Sequence, residues 1–179
     1  MSEYDRTKWI AHYEVAEPMM KQGLPLVTVQ PGVTYGPGDT GPFRPIFIQY
    51  LQRKLRVIPK KSAYCWGHVD DIARAHSLAM EKGRVGESYI IAGEPMALKG
   101  VFGIAEKITG ITAPRLHASS LLLKFLAALT RSERLRVSAG ATYLGNNRKA
   151  KNELGLTHRP FEEGLQETLT YEKQLLRTN

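Results

Sequence analysis

Tyr4-Asp5-Arg6-Thr7-Lys8 sets a phenol and an ammonium four residues apart. On an α-helix that spacing puts both on one face. A phenol is a poor base near neutral pH, and a nearby cation favours its ionised form. A tyrosinate placed in this way can take a proton from an alcohol, or return one to a ketone, while a hydride moves to or from a nicotinamide. With 8 tyrosines in 179 residues, such a short motif arises by chance in about every second sequence of this kind. A second copy is present, Tyr50-Leu51-Gln52-Arg53-Lys54. Taken alone, either copy fits equally well an amphipathic helix with an aromatic side chain and a snorkelling lysine.

Other residues of chemical interest have structural readings. His68 precedes the carboxylate pair Asp70-Asp71. At a helix start, one Asp caps the backbone and the other favours the helix dipole, which accounts for the pair without acid/base work or a metal. Cys65 is the single cysteine. It has no partner for an internal disulfide, no Cys/His cluster has zinc spacing, and a buried small residue is the simplest reading. Arg131, Arg134, Arg136 and Arg148 form either a solvated face or a contact to a substrate phosphate, for which guanidinium is well suited.

These residues need elements to hold them. A helical pattern runs from Tyr4 to about Gln22, with Pro18 expected to kink or loosen its last turn and Gly23 to stop it. Leu24–Val29 reads as a short buried strand, and Pro31–Asp39 as turn-rich loop. A helix is expected from about Phe43 to Lys54, then brief extended segments at Val57-Ile58 and Tyr64–Trp66. Asp70 or Asp71 would cap a helix reaching Lys82 and carrying Ile72, Ala73, Ala75, Ala79 and Met80. Strand Ser88–Ala92 closes at Gly93, and a helix over Leu98–Thr109 stops at Gly110. Three more helices are expected around Ser120–Thr130, Arg148–Leu154 and Glu162–Leu176. The continuously apolar strands suit a parallel sheet covered on both faces. Such a sheet needs more strands than these, so further strands are expected on the N-terminal side.

Composition is that of a globular protein, 42% hydrophobic and 23% charged. The net charge of +8 is spread along the chain without a nucleic-acid signature, so nucleic acid is not expected as a partner. The most apolar stretch, Leu121–Leu129, contains Lys124 and falls far short of a bilayer span. It reads as a buried or partner-facing helix, and no membrane partner is expected. Met1–Asp5 has no signal-peptide core, and a cytoplasmic setting fits.

Context separates the two Tyr-x-x-x-Lys copies. After Tyr4–Lys8 come helix, strand and Pro31-Gly32-Val33-Thr34-Tyr35-Gly36-Pro37-Gly38-Asp39. The order resembles extended short-chain dehydrogenase/reductases of the NAD(P)-dependent epimerase/dehydratase kind, dihydroflavonol-reductase-like or sugar-epimerase-like. Further along, Trp66–Ala75, Gly86–Gly93, Leu154-Gly155-Leu156 and Glu163-Gly164-Leu165 resemble that family's His-Val-Asp-Asp, Gly-Glu-x-Tyr and C-terminal segments. Tyr50–Lys54 has no such sequel.

The resemblance implies an α/β fold, the C-terminal part of a Rossmann-type doubly wound fold plus a mostly helical substrate-binding lobe. It implies a remnant of the dinucleotide-binding domain over residues 1–40 and the lobe over 41–179, with 66–93 packing back on the remnant. It implies Tyr4 as acid/base, and Lys8 as the residue that lowers its pKa and touches the nicotinamide ribose. Pro31, Gly32 and Val33 would line the nicotinamide of NAD or NADP. The family's Gly-x-x-Gly-x-x-Gly turn and its catalytic Ser/Thr have no counterpart here; Gln30 and Pro18 also depart from its pattern. The expectation is thus a truncated oxidoreductase or epimerase acting on a carbonyl/alcohol small molecule, a nucleotide sugar among the candidates. The other expectation is a non-catalytic interaction module that forms homo-oligomers through exposed apolar faces.

Overall fold

A computed structural model describes residues 3–130 and 142–178. The first helical run is α1 (Glu3–Trp9), a π-helical stretch (Ile10–Ala16) and α2 (Glu17–Lys21). Pro18 lies inside a helical run that is continuous through Ala16 and Glu17, so its missing N–H removes a donor to the preceding turn, and that turn is the wider π stretch. Gly23 ends the run at φ +96°. No residue of the run is buried.

Strand β1 is Thr28–Pro31, later than expected, and only half buried. Leu24 and Pro25 are exposed, and Pro25 has no N–H to offer a ladder. The turn-rich segment after β1 contains a further strand, β2 (Val33–Tyr35). There the β-branched and aromatic residues outweigh the flanking turn formers. Helix α3 (Arg44–Leu51) is followed by β3 (Val57–Pro59), β4 (Ala63–His68) and α4 (Val69–Lys82). Then come β5 (Ser88–Ile91), β6 (Glu94–Ala97), α5 (Leu98–Thr109), β7 (Leu116–Ala118) and α6 (Ser120–Thr130). After the undescribed stretch lie β8 (Thr142–Tyr143), α7 (Arg148–Leu154) and α8 (Phe161–Thr178). Strands β6, β7 and β8 are too short, and too interrupted by polar residues and Pro95, to stand out by periodicity.

The pairing explains two glycines. β1 runs parallel to β5, with Thr28 opposite Ser88 and Pro31 opposite Ile91. β2 runs parallel to β4, which is antiparallel to β6 and parallel to β8. Residues 28–35 thus form a nearly continuous strand that changes partner at Gly32, and residues 88–97 do the same at Gly93. At each switch the backbone crosses β4 closely. A Cβ on Gly32 would lie 2.6 Å from the Cys65 carbonyl oxygen, and one on Gly93 would lie 1.6 Å from that of Trp66. Strands β3 and β7 form a separate parallel pair.

Two large apolar clusters result, beside the small contact of Ala118 with Leu123. The larger joins Tyr35, Phe43, Phe47, Tyr50, Tyr64, Trp66, Phe102, Phe161 and Leu165 with their neighbours. Its rings meet edge-on or tilted, Phe43 on Trp66 at 4.7 Å and Tyr35 on Phe161 at 5.1 Å, the arrangement aromatic quadrupoles prefer. Helix α8 enters it through Phe161, Leu165, Thr168, Leu169 and Glu172, the spacing of one helical face. The smaller cluster holds Ile72, Ala75 and Ala79 of α4, Tyr89 and Ile91 of β5, and Ala150 and Leu154 of α7, with Val27 and Val29 against it. Ala73 and Met80 of the same helix are exposed.

Candidate functional site

Tyr4 and Lys8 lie on α1 as their spacing requires. The Lys8 Nζ stands 5.5 Å from the centre of the Tyr4 ring, and the ring is 69% exposed. The pair is held together and open to a ligand. No hydrogen bond links either side chain to the 31–33 segment among the described residues. Pro31 is exposed at the carboxyl end of β1, with Gly32 and Val33 half buried behind it. The carboxyl ends of parallel strands are where open α/β sheets bind ligands. Gly32 has a structural duty of its own: its N–H donates to the Ile91 carbonyl at 2.9 Å.

Tyr50 and Lys54 form no such pair. Tyr50 is 1% exposed, and its hydroxyl donates to the Ile111 carbonyl and meets the Thr109 hydroxyl at 3.1 Å. Burial pushes its pKa up, and α3 ends at Leu51, before Lys54. Tyr35 is likewise core: burial drives its pKa well above the ordinary phenol value.

The segment Gly36-Pro37-Gly38-Asp39-Thr40-Gly41 has Gly-x-Gly-x-x-Gly spacing after β2. It is not a phosphate turn opening a helix. A Cβ on Gly36 would strike Val69 at 2.5 Å, the Gly41 N–H donates to Asp39 Oδ1 at 2.8 Å, and α3 starts only at Arg44. An open groove of ≈ 570 Å³ beside this turn is lined by Pro37, Glu163, Glu167 and Tyr171. Its carboxylates repel anions, so it does not suit a diphosphate.

The cap of α4 is His68 rather than either Asp: its Nδ1 accepts the Asp70 N–H at 3.4 Å. The correction has a simple cause. The helix begins two or three residues earlier than a cap at Asp70 or Asp71 implies, at Val69, which places both carboxylates inside the first turn. Asp71, 3% exposed, accepts from the Arg159 backbone N–H at 2.9 Å and from Arg74 at 3.2 Å. His68, Asp70 and Glu167 bring ligand-type atoms within 4.8 Å of one another. The Arg159 guanidinium already bonds the same Asp70 and Glu167 carboxylates, at 3.2 and 2.9 Å. With Nδ1 of His68 taken by a backbone donor, the group is an ion-pair network whose cation is Arg159. Arg159 and Glu167 carry no motif that sequence reasoning could have flagged. Of the four arginines considered for phosphate contact, Arg131, Arg134 and Arg136 lie outside the described residues, and Arg148 opens α7.

Burial, reinforced by Arg159, holds the His68 pKa below its ordinary value, and burial does the same for His158. The unfolded chain therefore binds more protons below about pH 6.5. Stability is full above that pH and falls as pH drops toward the folded values. Melting temperature should accordingly fall from pH 7.5 to 5.5, and His68→Asn, which keeps a capping acceptor, should flatten the slope. An unchanged slope in that variant would remove His68 from this account.

The model of a family described as NAD dependent epimerase/dehydratase matches residues 1–92. Among curated relatives, the mouse short-chain dehydrogenase/reductase family 42E member 1 is 31% identical over 95% of this chain and 51% of its own. The sterol demethylase protein B of Methylococcus capsulatus is 28% identical over 72% of this chain and 39% of its own. Among solved structures, a nucleoside-diphosphate-sugar epimerase from Pseudomonas aeruginosa superposes with a TM-score of 0.83 at 26% identity, over 98% of this chain and 56% of that one. The chain thus spans about half the length of the proteins it matches. Its fold is α/β, the C-terminal part of a Rossmann-type fold with its helical lobe.

Proposed function

The chain belongs to the NAD-dependent epimerase/dehydratase family, and from that premise we propose that it carries the acid/base half of an oxidoreductase or epimerase acting on a carbonyl/alcohol substrate. A nucleotide sugar is the first substrate class to try, given the epimerase likeness. The observation behind this reading is the open Tyr4–Lys8 pair on α1, inside the stretch the family model matches. Tyr4 Oη exchanges a proton with the substrate oxygen, and Lys8 supplies positive charge beside the phenol and meets the nicotinamide ribose. Pro31, Gly32 and Val33 line the ring. NAD or NADP, when bound, supplies or accepts the hydride. These residues fit the nicotinamide end alone: no Gly-x-x-Gly-x-x-Gly turn, the cradle for a pyrophosphate, occurs in the 179 residues. In this reading residues 1–40 belong to the cofactor domain and 41–179 to the substrate lobe. The β1–β5 ladder and the α7 contacts carry part of the second stretch back onto the first.

A fluorescence titration with NADH and NADPH tests it. The expected result is saturable binding weaker than micromolar, because the pyrophosphate finds no glycine-rich turn here, and weakened further by about tenfold or more in Lys8→Ala and Tyr4→Phe. Both side chains are exposed, so melting temperature should hold. No binding up to millimolar concentration would take the cofactor site away from this chain alone. That outcome would favour the second reading, an interaction module. Its supporting observation is the exposed run of Trp9, Tyr13, Val15 and Met19 on the first helices.

A further inference from the structure

We propose that the face built on α6 docks on an anionic phospholipid bilayer. The expectation that Leu121–Leu129 would be buried or partner-facing is met on only one side. Leu123 is packed against Ala118, while Leu121, Phe125 and Leu129 are 81%, 66% and 73% exposed. Spaced by four, these three form one stripe along the helix, and Leu122 adds a further 49% exposed side chain. The β3–β7 ladder that leads into α6 exposes Val57 and Leu116, register partners, at 46% and 62%. Large apolar side chains gathered in this way mark an interaction site.

Charge selects the occupant. Arg56, Lys60, Lys61 and Arg115 are all exposed on or beside that ladder, and the Lys60 N–H donates to the Ala118 carbonyl at its end. None of the four is ion-paired among the described residues. Residues 51–62 and 111–130 contain no Asp or Glu. Exposed cations without ion pairs on the strands that lead into an apolar helical stripe suit a helix lying in a bilayer interface with anionic headgroups. A second copy of this chain fits less well, because a two-fold interface here would bring together two stretches, 51–62 and 111–130, that carry cations and no Asp or Glu to pair them. No helix of the described residues is long and apolar enough to cross a membrane, so the helix lies on the surface. The inference is independent of the Tyr4–Lys8 reading.

Flotation of the full chain with phosphatidylcholine vesicles, and with phosphatidylcholine–phosphatidylglycerol vesicles, tests it at low salt. The chain should float with the anionic vesicles alone and release as salt is raised. Leu121→Gln with Phe125→Gln and Leu129→Gln should abolish flotation. Replacing Arg56, Lys60, Lys61 and Arg115 with Gln should weaken it about tenfold or more. All seven side chains are exposed, and circular dichroism checks the fold of each variant. Should the α6 variant unfold, the charge variant still decides by its loss of preference for anionic vesicles. Absence of flotation, equal flotation with neutral vesicles, or parental flotation of the α6 variant would each overturn the proposal. So would a dimer that the α6 variant dissolves in a chain that ignores vesicles.

Discussion

Gly93→Ala should yield a chain that does not fold, or one destabilised by about 4 kcal/mol or more, beyond the range of ordinary substitutions. The added methyl carbon would sit 1.6 Å from the Trp66 carbonyl oxygen and 2.9 Å from the Gly67 Cα. Both obstacles are backbone, so no rotamer change relieves them. Relief requires β4 to separate from the crossing strand, which would undo the pairing of Trp66 with Glu94 and of Cys65 with Pro95. It would also disturb the Trp66 indole N–H, which donates to the Met96 carbonyl at 3.0 Å. Total stability of a domain this size is about 5–15 kcal/mol, so most of it is at stake. Urea denaturation followed by circular dichroism measures the effect. A melting temperature within a few degrees of the parent would show that the crossing is looser than described.

The second large effect is expected from Arg44→Met, at about 2 kcal/mol lost, below the fully buried case because the Arg44 side chain is 35% exposed. Its guanidinium bonds both carboxylate oxygens of Glu172, at 2.7 and 3.2 Å. Glu172 is 1% exposed on the buried face of α8. Removing the arginine strands a carboxylate in an apolar setting, and that loss exceeds the worth of the pair itself. The contrast is therefore informative: Arg44→Met with Glu172→Leu should recover most of the loss, because neither residue then leaves an unpaired charge. A double-mutant cycle in urea measures the coupling. Equal stability for the single and double variants would refute the stranded-charge explanation.

Helices carried by strong periodicity and clear stops were legible in the sequence. Leu98–Thr109 and Arg148–Leu154 end where Gly110 and Gly155 adopt positive φ of 70° and 71°. Strands were harder, for identifiable reasons. β1 is displaced because its register is set by β5, whose residues lie far along the chain. β2 hides inside turn-forming residues, and β6 contains a proline. The cap of α4 went to His68 because an imidazole nitrogen can do what Asp was expected to do. The proximity of Tyr4 and Lys8 on one helix face was visible through their spacing. Glu172 was not, since a glutamate on the apolar face of a C-terminal helix reads as a break in the pattern until its arginine is seen. The exposure of α6 was equally hidden, because composition reports how apolar a helix is and not which neighbours it finds.

The partner changes at Gly32 and Gly93 bear on how the molecule comes apart. Each of the two long strand segments is shared between ladders, and each ladder backs a different apolar cluster. A slip of register in one ladder would propagate through the same backbone into the other, turning inward side chains outward in both. Neither cluster can therefore open as an independent cooperative unit. The contacts that close the ladders join distant parts of the chain, so they form late and at high entropic cost. Folding and unfolding should consequently engage both clusters in one step, even though their side chains form separate cores.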